Sequence, residues 1–309
     1  MIVCCGEALI DMLPRKTESG EKVFAPYVGG SVFNSALALG RLGVPVSFFS
    51  GLSDDLFGVR LQEALRESHV DFSYARITNR PTTLAFVSLD EGQASYFFYD
   101  ENTAGRTLAN ADLPDLGNDV AALLFGGISL ATEPSGSAYE ALMAREHAAR
   151  VTMFDPNIRP AFIKDAEAHR ARMQRMAAMA DIVKISEEDL DWLGIGASYS
   201  EAAADILASG AKLIIVTSGA RGASAYWAGG TVSVKAERVD VVDTVGAGDA
   251  FNAGMLTAMR QAGVLTKQGM AQLNEEIVRE ALAFAGHVAA LTVSRAGANP
   301  PWRGELLTF

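Results

Sequence analysis

The sequence predicts an α/β protein in which helices cover both faces of a mostly parallel β-sheet and a small β-sheet forms a lid. Two observations support this class. Short apolar runs alternate with longer, Ala-rich segments of helical periodicity, and strands separated by helices form parallel βαβ units. Within residues 72–99, two strand-like runs instead follow each other directly, as in a β-hairpin. The 309 residues suffice for a large buried core.

The elements are predicted in chain order from these patterns. Apolar runs predict strands at residues 2–5, 46–50, 122–125, 151–154, 182–185 and 213–217. Helical periodicity predicts helices at residues 31–42, 57–67, 135–149, 201–209, 247–262 and 275–293. Residues 13–29 are short and polar and break the alternation. Residues 82–89 and 94–99, on either side of a turn at 90–92, predict the hairpin, and both breaks are assigned to the lid.

Composition and charge exclude several classes of protein. Lys and Arg number 26 and Asp and Glu number 37, so the formal net charge is −11. Nucleic-acid binding requires a basic face, so we expect no such partner. No run approaches the roughly 18 apolar residues of a membrane span, so we expect no membrane partner. Cys4 and Cys5 would point to opposite faces of a strand, which suits a reducing cytoplasm better than a disulfide, and the N-terminal run is too short for a signal peptide.

The most informative segment is residues 243–254. Gly246 and Gly248 flank Ala247 just before a helical pattern, and glycines there let backbone N–H groups converge on an anion at a helix N-terminus. Asp249 would lie beside that anion, which is unfavourable unless the carboxylate has a chemical task. Accepting the proton of an alcohol that attacks phosphorus is such a task. The alternative is a Gly-rich turn in which Asp249 is an ordinary helix-start residue.

Two other phosphate motifs are absent. The sequence contains no Gly-Lys dipeptide, which the Walker A loop requires. The dinucleotide fingerprint would need a third glycine where Phe251 stands.

Three blocks together resemble a known family. Residues 243–254 are similar to the C-terminal signature of the ribokinase-like (PfkB) carbohydrate kinases, and residues 29–43 to the N-terminal signature. Residues 6–11 resemble the family's first strand and sugar-binding Asp. The resemblance spans essentially the whole chain. It implies a Rossmann-like three-layer core (residues 1–12, 30–71 and 106–309), a β lid (13–29 and 72–105), and Mg²⁺-assisted phosphate transfer from ATP to a sugar.

The resemblance also implies roles for individual residues. Asp249 is the expected base, with Gly246, Ala247 and Gly248 forming the anion site. Asp11 follows the first predicted strand, at the edge where α/β sheets bind ligands. The residues expected to bind the sugar are Asp11, Gly30, Asn34, Tyr99 and Arg159. Three of these residues also have an alternative, structural role. Asp11 could cap the end of a strand, Asn34 could be a helix-start residue, and Arg159 could be a solvated side chain in a surface turn.

Nucleotide and ion contacts are expected by the same resemblance. Ser186 and Asp189 stand where the family has Asn and Glu, and Asp189 would act on Mg²⁺ through water. A lone helical His such as His287 is more often structural. The expected ATP-binding residues are Lys184, Ser186, Thr217, Gly219, Gly222, Gly246, Gly248 and His287. A K⁺ ion could be held by Asp243 and by the backbone carbonyls of Val245, Thr292, Arg295 and Gly297, although Pro301 replaces a Ser of ribokinase.

The choice of sugar rests on weaker signals. Residues 155–157, 184–186 and 294–302 look most like bacterial fructokinases. Ketodeoxygluconate kinases usually carry an Arg after the lid tyrosine, whereas Asp100 and Glu101 follow Tyr99 here and should repel an acid sugar. We therefore expect fructose, with 2-keto-3-deoxygluconate or ribose as alternatives. A regulator that binds sugar or nucleotide on the same fold without catalysis is the alternative of another class. The apolar run 96–99 and the lid's strand edges predict a homodimer.

Overall fold

The computed structural model describes residues 1–90 and 93–308. Its strands are β1 (Ile2–Cys5), β2 (Leu9–Lys16), β3 (Lys22–Gly29), β4 (Val46–Phe49), β5 (Gly51–Ser53), β6 (Arg76–Thr78), β7 (Thr83–Asp90), β8 (Gln93–Tyr99), β9 (Ala122–Gly126), β10 (Val151–Asp155), β11 (Ile182–Ser186), β12 (Leu213–Thr217), β13 (Ala223–Trp227) and β14 (Gly230–Val234). Its α-helices are α1 (Ser31–Arg41), α2 (Leu56–Glu67), α3 (Ser135–Glu146), α4 (Ala166–Met179), α5 (Glu187–Leu193), α6 (Tyr199–Ala208), α7 (Ala247–Gln261) and α8 (Glu275–Val293).

The central sheet has eight strands among the described residues, in the order β14-β13-β12-β11-β10-β9-β1-β4. The six strands from β12 to β4 are parallel, whereas β13 and β14 continue the sheet as an antiparallel edge. This confirms the mostly parallel sheet. Because parallel strands end at one edge, the segments that follow β10, β11 and β12 meet there, where α/β proteins bind ligands.

Helices cover both faces of this sheet, so the three-layer prediction is also confirmed. Residues of α1, α2, α7 and α8 pack in one hydrophobic cluster, and residues of α3, α4, α5 and α6 pack in the other. Cys4 lies in the first cluster and Cys5 in the second, and both are buried free thiols. Adjacent residues of a strand therefore do point to opposite faces, as predicted.

The lid is a separate four-stranded sheet with the order β3-β2-β7-β8. The predicted hairpin corresponds to β7 and β8, which pair antiparallel, although residues 91 and 92 of its predicted turn lie outside the described residues. Strand β2 pairs antiparallel with β3 and parallel with β7. The lid sheet therefore begins at Leu9, inside the segment 1–12 that the sequence assigns to the core, because the chain leaves β1 and enters the lid within four residues.

Several elements escaped the sequence analysis. Strands β5 and β6 are three residues long and pair with each other, so they depend on a partner distant in sequence. Helix α4 interrupts its Ala and Met residues with six polar or charged ones, and it buries only His169, Met173 and Met176. Strands β13 and β14 form a hairpin at the sheet edge. Within residues 1–90 and 93–308, no helix combines the length and apolar character that crossing a bilayer demands.

Candidate active site

A cavity of about 1500 Å³ lies between the lid and the carboxyl edge of the central sheet. Its walls come from the lid, the start of α1, the ends of β10 to β12, the start of α7 and one side of α8. Most of the predicted site residues meet there. Those lining the cavity are Asp11, Gly30, Asn34, Arg159, Lys184, Ser186, Asp189, Thr217, Gly219, Gly222, Asp243, Val245, Gly246, Ala247, Gly248, Asp249 and Gly297.

The start of α7 forms an anion-binding surface. Gly246 precedes the helix with a φ of 78°, a left-handed conformation that glycine adopts readily. A Cβ at this position would lie 2.8 Å from the Cβ of Ala298, so the close approach of that loop also requires glycine. The Ala247 N–H contacts the Thr244 carbonyl at 3.4 Å, whereas the next N–H groups of the first turn, those of Gly248 and Asp249, have no intrahelical carbonyl to bind. They and the helix dipole together favour a phosphate group here.

Asp249 lies in this first turn and is 7% exposed. The Asn34 side-chain amide donates to its Oδ2 at 2.9 Å, and the Ser31 hydroxyl donates to its Oδ1 at 2.8 Å. Burial raises the pKa of Asp249 to about 6, and repulsion from Asp155 adds to this, while the two donors and Lys184 oppose it. A carboxylate with a pKa slightly below neutral pH is well suited to accept a proton from a hydroxyl.

A buried cation lies behind the anion surface. Lys184 Nζ contacts Asp155 Oδ2 at 3.0 Å, and the Asn252 amide donates to the same oxygen at 2.7 Å. A Cβ added to Gly248 would lie 3.1 Å from Lys184 Nζ, so the ammonium sits directly against the start of α7. Burial alone would lower the pKa of Lys184, but attraction to Asp155 and Asp189 outweighs it and raises this pKa. Lys184 is therefore held in its charged form beside the amides, where Asp155 balances part of its charge.

The loop after β12 forms one end of the cavity, where the sequence analysis predicts nucleotide contacts. Gly222 has a φ of 107°, and a Cβ there would lie 2.0 Å from the carbonyl oxygen of Val234, so only glycine fits this turn. Ser186 accepts from the Asp189 N–H at 3.0 Å and caps α5. Asp189 in turn accepts the N–H of Ile158 at 2.9 Å. Small and apolar residues of α8 form the far wall: Leu282, Gly286, Ala289, Ala290 and Val293.

Asp11 lies at the opposite end, and its position corrects the prediction. It is not at the edge of the central sheet but inside β2 of the lid, opposite Tyr27 and Ala85. Burial and repulsion from Asp249 raise the pKa of Asp11 to about 6, and Arg159 is near enough to oppose this rise. Asp11 and Arg159 are therefore neighbours in the part of the cavity that the lid covers.

The two loops of the expected K⁺ site lie together. Asp243 accepts the N–H of Val245 through Oδ1 and the N–H of Gly297 through Oδ2, both at 3.0 Å. Thr292 and Arg295 do not line the cavity, because the Thr292 hydroxyl donates to the Val288 carbonyl and the Arg295 side chain pairs with Glu305. Only their backbone carbonyls could contribute to an ion site.

Comparison with known proteins decides the family. The family model described as "pfkB family carbohydrate kinase" matches residues 1–303. The chain belongs to this family. It is therefore a sugar kinase, a phosphotransferase, and its 1500 Å³ cavity is the place where the family signatures meet.

Individual relatives agree with this assignment. The kinase is 58% identical over 279 residues to a fructokinase of Rhizobium leguminosarum bv. trifolii, covering 90% of this chain and 86% of that protein. It is similar to a crystal structure of a Xylella fastidiosa fructokinase with bound ATP, with a TM-score of 0.90, 32% identity and coverage of 99% and 97%. A Vibrio cholerae O395 fructokinase crystallised with fructose, ADP and calcium ion gives a TM-score of 0.86, 28% identity and coverage of 100% and 98%.

Four predicted residues of the kinase lie outside the cavity: Thr292 and Arg295, described above, and Tyr99 and His287. Tyr99 is 63% exposed and faces the outer side of the lid, whereas its neighbour Phe98 lines the cavity, because successive strand residues alternate between faces. The ring of Phe98 packs against the ring of Phe162, which lies outside the lid, with 4.7 Å between the ring centres. His287 contacts the Glu237 carboxylate through Nδ1 at 2.9 Å and does not line the cavity.

The charge argument about the sugar also fails in its original form. Asp100 forms a two-pronged ion pair with Arg106 at 3.0 Å, which neutralises its charge. Neither Asp100 nor Glu101 lines the cavity. These carboxylates therefore cannot repel an acid sugar, and the lid region offers Arg159 and Arg15 as cations instead.

Sequence analysis missed five polar residues of the kinase's site: Glu7, Ser31, Asp155, Asn157 and Asn252. Glu7 is buried, accepts the N–H groups of Ser31 at 2.8 Å and Ser129 at 3.3 Å, and burial raises its pKa. Glu7, Ser31 and Asn252 lie in the three family blocks, and Asp155 and Asn157 lie in the segment 155–157 that resembles bacterial fructokinases. These resemblances were the available signal. Their hydrogen bonds join segments far apart in sequence, so the blocks alone could not pair them.

Proposed function

We propose that this kinase phosphorylates fructose with ATP as the donor. The observation that carries the chemistry is the buried Asp249 carboxylate, oriented by Asn34 and Ser31 at the edge of the α7 anion surface. The 58% identity to a curated fructokinase over 90% of this chain supports fructose as the acceptor. The fructose- and ADP-bound structure of the Vibrio cholerae enzyme also supports fructose, and the ATP-bound structure of the Xylella fastidiosa enzyme supports ATP as the donor.

In the proposed reaction, Asp249 accepts the proton of the attacking fructose hydroxyl. The hydroxyl oxygen forms a bond to the γ-phosphorus, the bond from that phosphorus to the bridging β–γ oxygen breaks, and ADP leaves with the electron pair. The N–H groups of Ala247, Gly248 and Asp249 and the ammonium of Lys184 stabilise the negative charge that develops on the transferred group.

A divalent cation fits one side of this site. The described residues contain no cluster of three His, Cys, Asp or Glu side chains able to hold a metal by themselves. Mg²⁺ commonly takes one carboxylate and completes its shell with water and substrate phosphates. We assign this role to Asp189, which lines the cavity and uses one oxygen for Ile158. When bound, Mg²⁺ neutralises phosphate charge.

A monovalent cation remains a proposal for the loops around Asp243. The carboxylate of Asp243 joins them through N–H groups of Val245 and Gly297, so a K⁺ ion would rely mainly on carbonyl oxygens. The candidate contributors are Asp243, Val245, Thr292, Arg295 and Gly297. Removing K⁺ should lower activity if these loops hold it.

The lid provides a reason for selectivity between sugar and water. Its inner face contributes apolar side chains to the cavity, namely Leu9, Leu13, Val87 and Phe98. These exclude water from the sugar end, which favours transfer to a sugar hydroxyl over hydrolysis of ATP. Asp11 and Asn34 remain to bind hydroxyl groups there. We propose Gly30 as the point of close backbone approach, since its φ of 111° and its contact with Glu7 require glycine.

Arg159 supports a second candidate substrate. It lines the cavity beside Asp11, so it could bind the carboxylate of 2-keto-3-deoxygluconate. A panel of fructose, ribose and 2-keto-3-deoxygluconate in a coupled ADP assay separates the candidates. We expect kcat/KM for fructose to exceed the others by at least about tenfold, equivalent to roughly 1.4 kcal/mol. A preference for the acid sugar would contradict fructose and leave the phosphate transfer intact.

Charge variants sharpen this test. Arg159→Gln should reduce any use of the acid sugar much more than use of fructose, because it removes the candidate carboxylate partner. Glu101→Arg is a matched control, since it adds positive charge on an exposed residue outside the cavity and should leave the ratio unchanged.

We also propose that the kinase is a cytoplasmic homodimer. The outer face of the lid exposes Phe24 (49%), Phe97 (57%) and Tyr99 (63%), and Phe86 packs edge-on against Phe24 and Tyr99 at ring distances of 5.1 and 5.4 Å. Such an aromatic surface favours a protein partner, and we assign a second copy of this chain. The buried free thiols of Cys4 and Cys5 suit a reducing compartment.

A further inference from the structure

A chain of hydrogen bonds reaches Asp249 from the segment after β10. The side-chain amide of Asn157 contacts Ser31 Oγ at 2.5 Å, and Ser31 Oγ contacts Asp249 Oδ1 at 2.8 Å. An ionised carboxylate can only accept, so the single hydroxyl proton of Ser31 points to Asp249. The hydroxyl oxygen must then accept from Asn157, which fixes that amide with its NH₂ group toward Ser31.

The backbone holds both donors in place. The N–H of Ser31 donates to Glu7 Oε1 at 2.8 Å, which anchors the first residue of α1. Asn157 has a φ of 44°, a left-handed conformation that Asn tolerates better than most residues. Unusual backbone conformations of this kind tend to occur at functional sites. Neither side chain is therefore a freely rotating surface group.

We propose that Asn157 and Ser31 form a relay that orients the Asp249 carboxylate and keeps it ionised at the pH at which the kinase is active. They are positioning residues, because they act through Asp249. The proposal rests on Asp249 as the base in the proposed function, but it does not depend on which sugar is phosphorylated. Other charges facing Asp249 are Asp155, Lys184 and Asp11, and they stay constant in the variants below.

The decisive variant is Ser31→Ala. Hydrogen bonds to a carboxylate favour its charged form, so their loss should raise the pKa of Asp249. We expect the acid limb of the kcat/KM profile to move up by about one pH unit, a tenfold change in proton affinity. Ser31→Thr keeps the hydroxyl and should keep the profile. Ser35→Ala is the matched control, because the Ser35 hydroxyl contacts the Asp249 backbone carbonyl at 3.1 Å and not the carboxylate.

Asn157→Ala tests whether the two residues act in series. It should move the acid limb in the same direction by less than Ser31→Ala, with little change in the KM for sugar. The double variant should match Ser31→Ala alone, because Asn157 acts only through Ser31. Additive shifts, or a large rise in KM without a shift of the limb, would show that Asn157 contacts the sugar and would overturn the relay.

Two further measurements distinguish a variant that does not fold, and a wrong assignment of Asp249 as the base, from a failure of the relay proposal itself. Thermal melting of each variant identifies those that fold, and if Ser31→Ala does not fold, Asn157→Ala, which leaves α1 unchanged, carries the same test. An unmoved acid limb in folded Ser31→Ala overturns the relay. If Asp249→Asn itself retains activity, the base assignment fails instead, so the two failures are distinguishable.

Discussion

Asp249 combines two properties that oppose each other at the level of one residue. Its carboxylate must be ionised to accept a proton, yet burial raises its pKa to about 6. Three hydrogen-bonding or charged neighbours, Ser31, Asn34 and Lys184, recover part of the cost of that burial. As the pH falls through about 6, the carboxylate becomes protonated, and we expect kcat/KM to fall with it.

Asp249→Asn should reduce kcat by about 10² to 10⁴, the range expected for loss of a general base. Sugar and nucleotide affinity, measured by calorimetry with ADP and fructose, should change little because the shape of the side chain is preserved. The coupled ADP assay gives the turnover. Retention of more than half of the original kcat would exclude Asp249 as the base, and loss of ADP release argues against a non-catalytic regulator.

The same variant should be more stable than the original protein above pH 6. The pKa of Asp249 is about 6 in the folded protein, against 3.8 for an unperturbed Asp side chain, so the folded state binds more protons between these values. The free energy of unfolding therefore falls as the pH rises through this window. Asp249→Asn removes the penalty and should gain about 1 to 3 kcal/mol at pH 8.

Urea unfolding at pH 8 and pH 5 checks this sign. The gain should shrink at pH 5, because there much of the original Asp249 is protonated and uncharged. Asp11 also has a raised pKa, partly through repulsion from Asp249. Asp249→Asn removes this repulsion as well, which adds to the gain at pH 8. An equal gain at both pH values would mean that the variant changes packing and not charge burial.

At the scale of elements, the two ends of helix α7 differ. We expect a change at its start to affect both stability and catalysis, and a change at its end to affect stability alone. Gly246 at its start and Gly263 just after its end have nearly equal φ values, 78° and 73°. A Cβ at Gly246 would meet Ala298, whereas one at Gly263 would have no neighbour within 4 Å. The two positions thus share a backbone strain but differ in their surroundings.

Gly246→Ala should lose stability and at least about tenfold in kcat, because the start of α7 must move away from Ala298 and displace the amides that bind phosphate. Gly263→Ala is the matched control. It should lose only the roughly 1 to 2 kcal/mol of left-handed strain and keep kcat. Melting curves and the ADP assay measure both quantities, and equal kcat values for the two variants would contradict the role of the α7 start.

At the scale of the whole molecule, the aromatic outer face of the lid is the surface that we propose for dimerisation. Sedimentation at micromolar concentration should give a mass of twice 32.7 kDa. Phe97→Lys combined with Tyr99→Lys should give a monomer, because two charges would be buried in the interface. Leu56→Lys, at a 76% exposed residue of α2 that is not part of the lid sheet, is the control and should stay dimeric. A monomeric original protein would reject the dimer.

The sequence alone determined the fold class and the family. The periods of apolar residues along the chain distinguish helices from strands, and they located the first six parallel strands of the central sheet to within one residue. The family blocks also identified Asp249, Asn34 and the glycines of the anion surface. Local patterns suffice for these features because each depends on neighbouring residues in the chain.

Only the tertiary structure decided which side chains meet. The pairs Ser31–Asp249 and Asn157–Ser31 are separated by 218 and 126 residues, so no local pattern records them. The placement of Tyr99 outside the cavity depends on which face of the lid turns inward. Such contacts follow from strand register and from the packing of the lid on the core. These are set by the summed burial of many residues across the molecule, and for that reason they are not legible in any single segment.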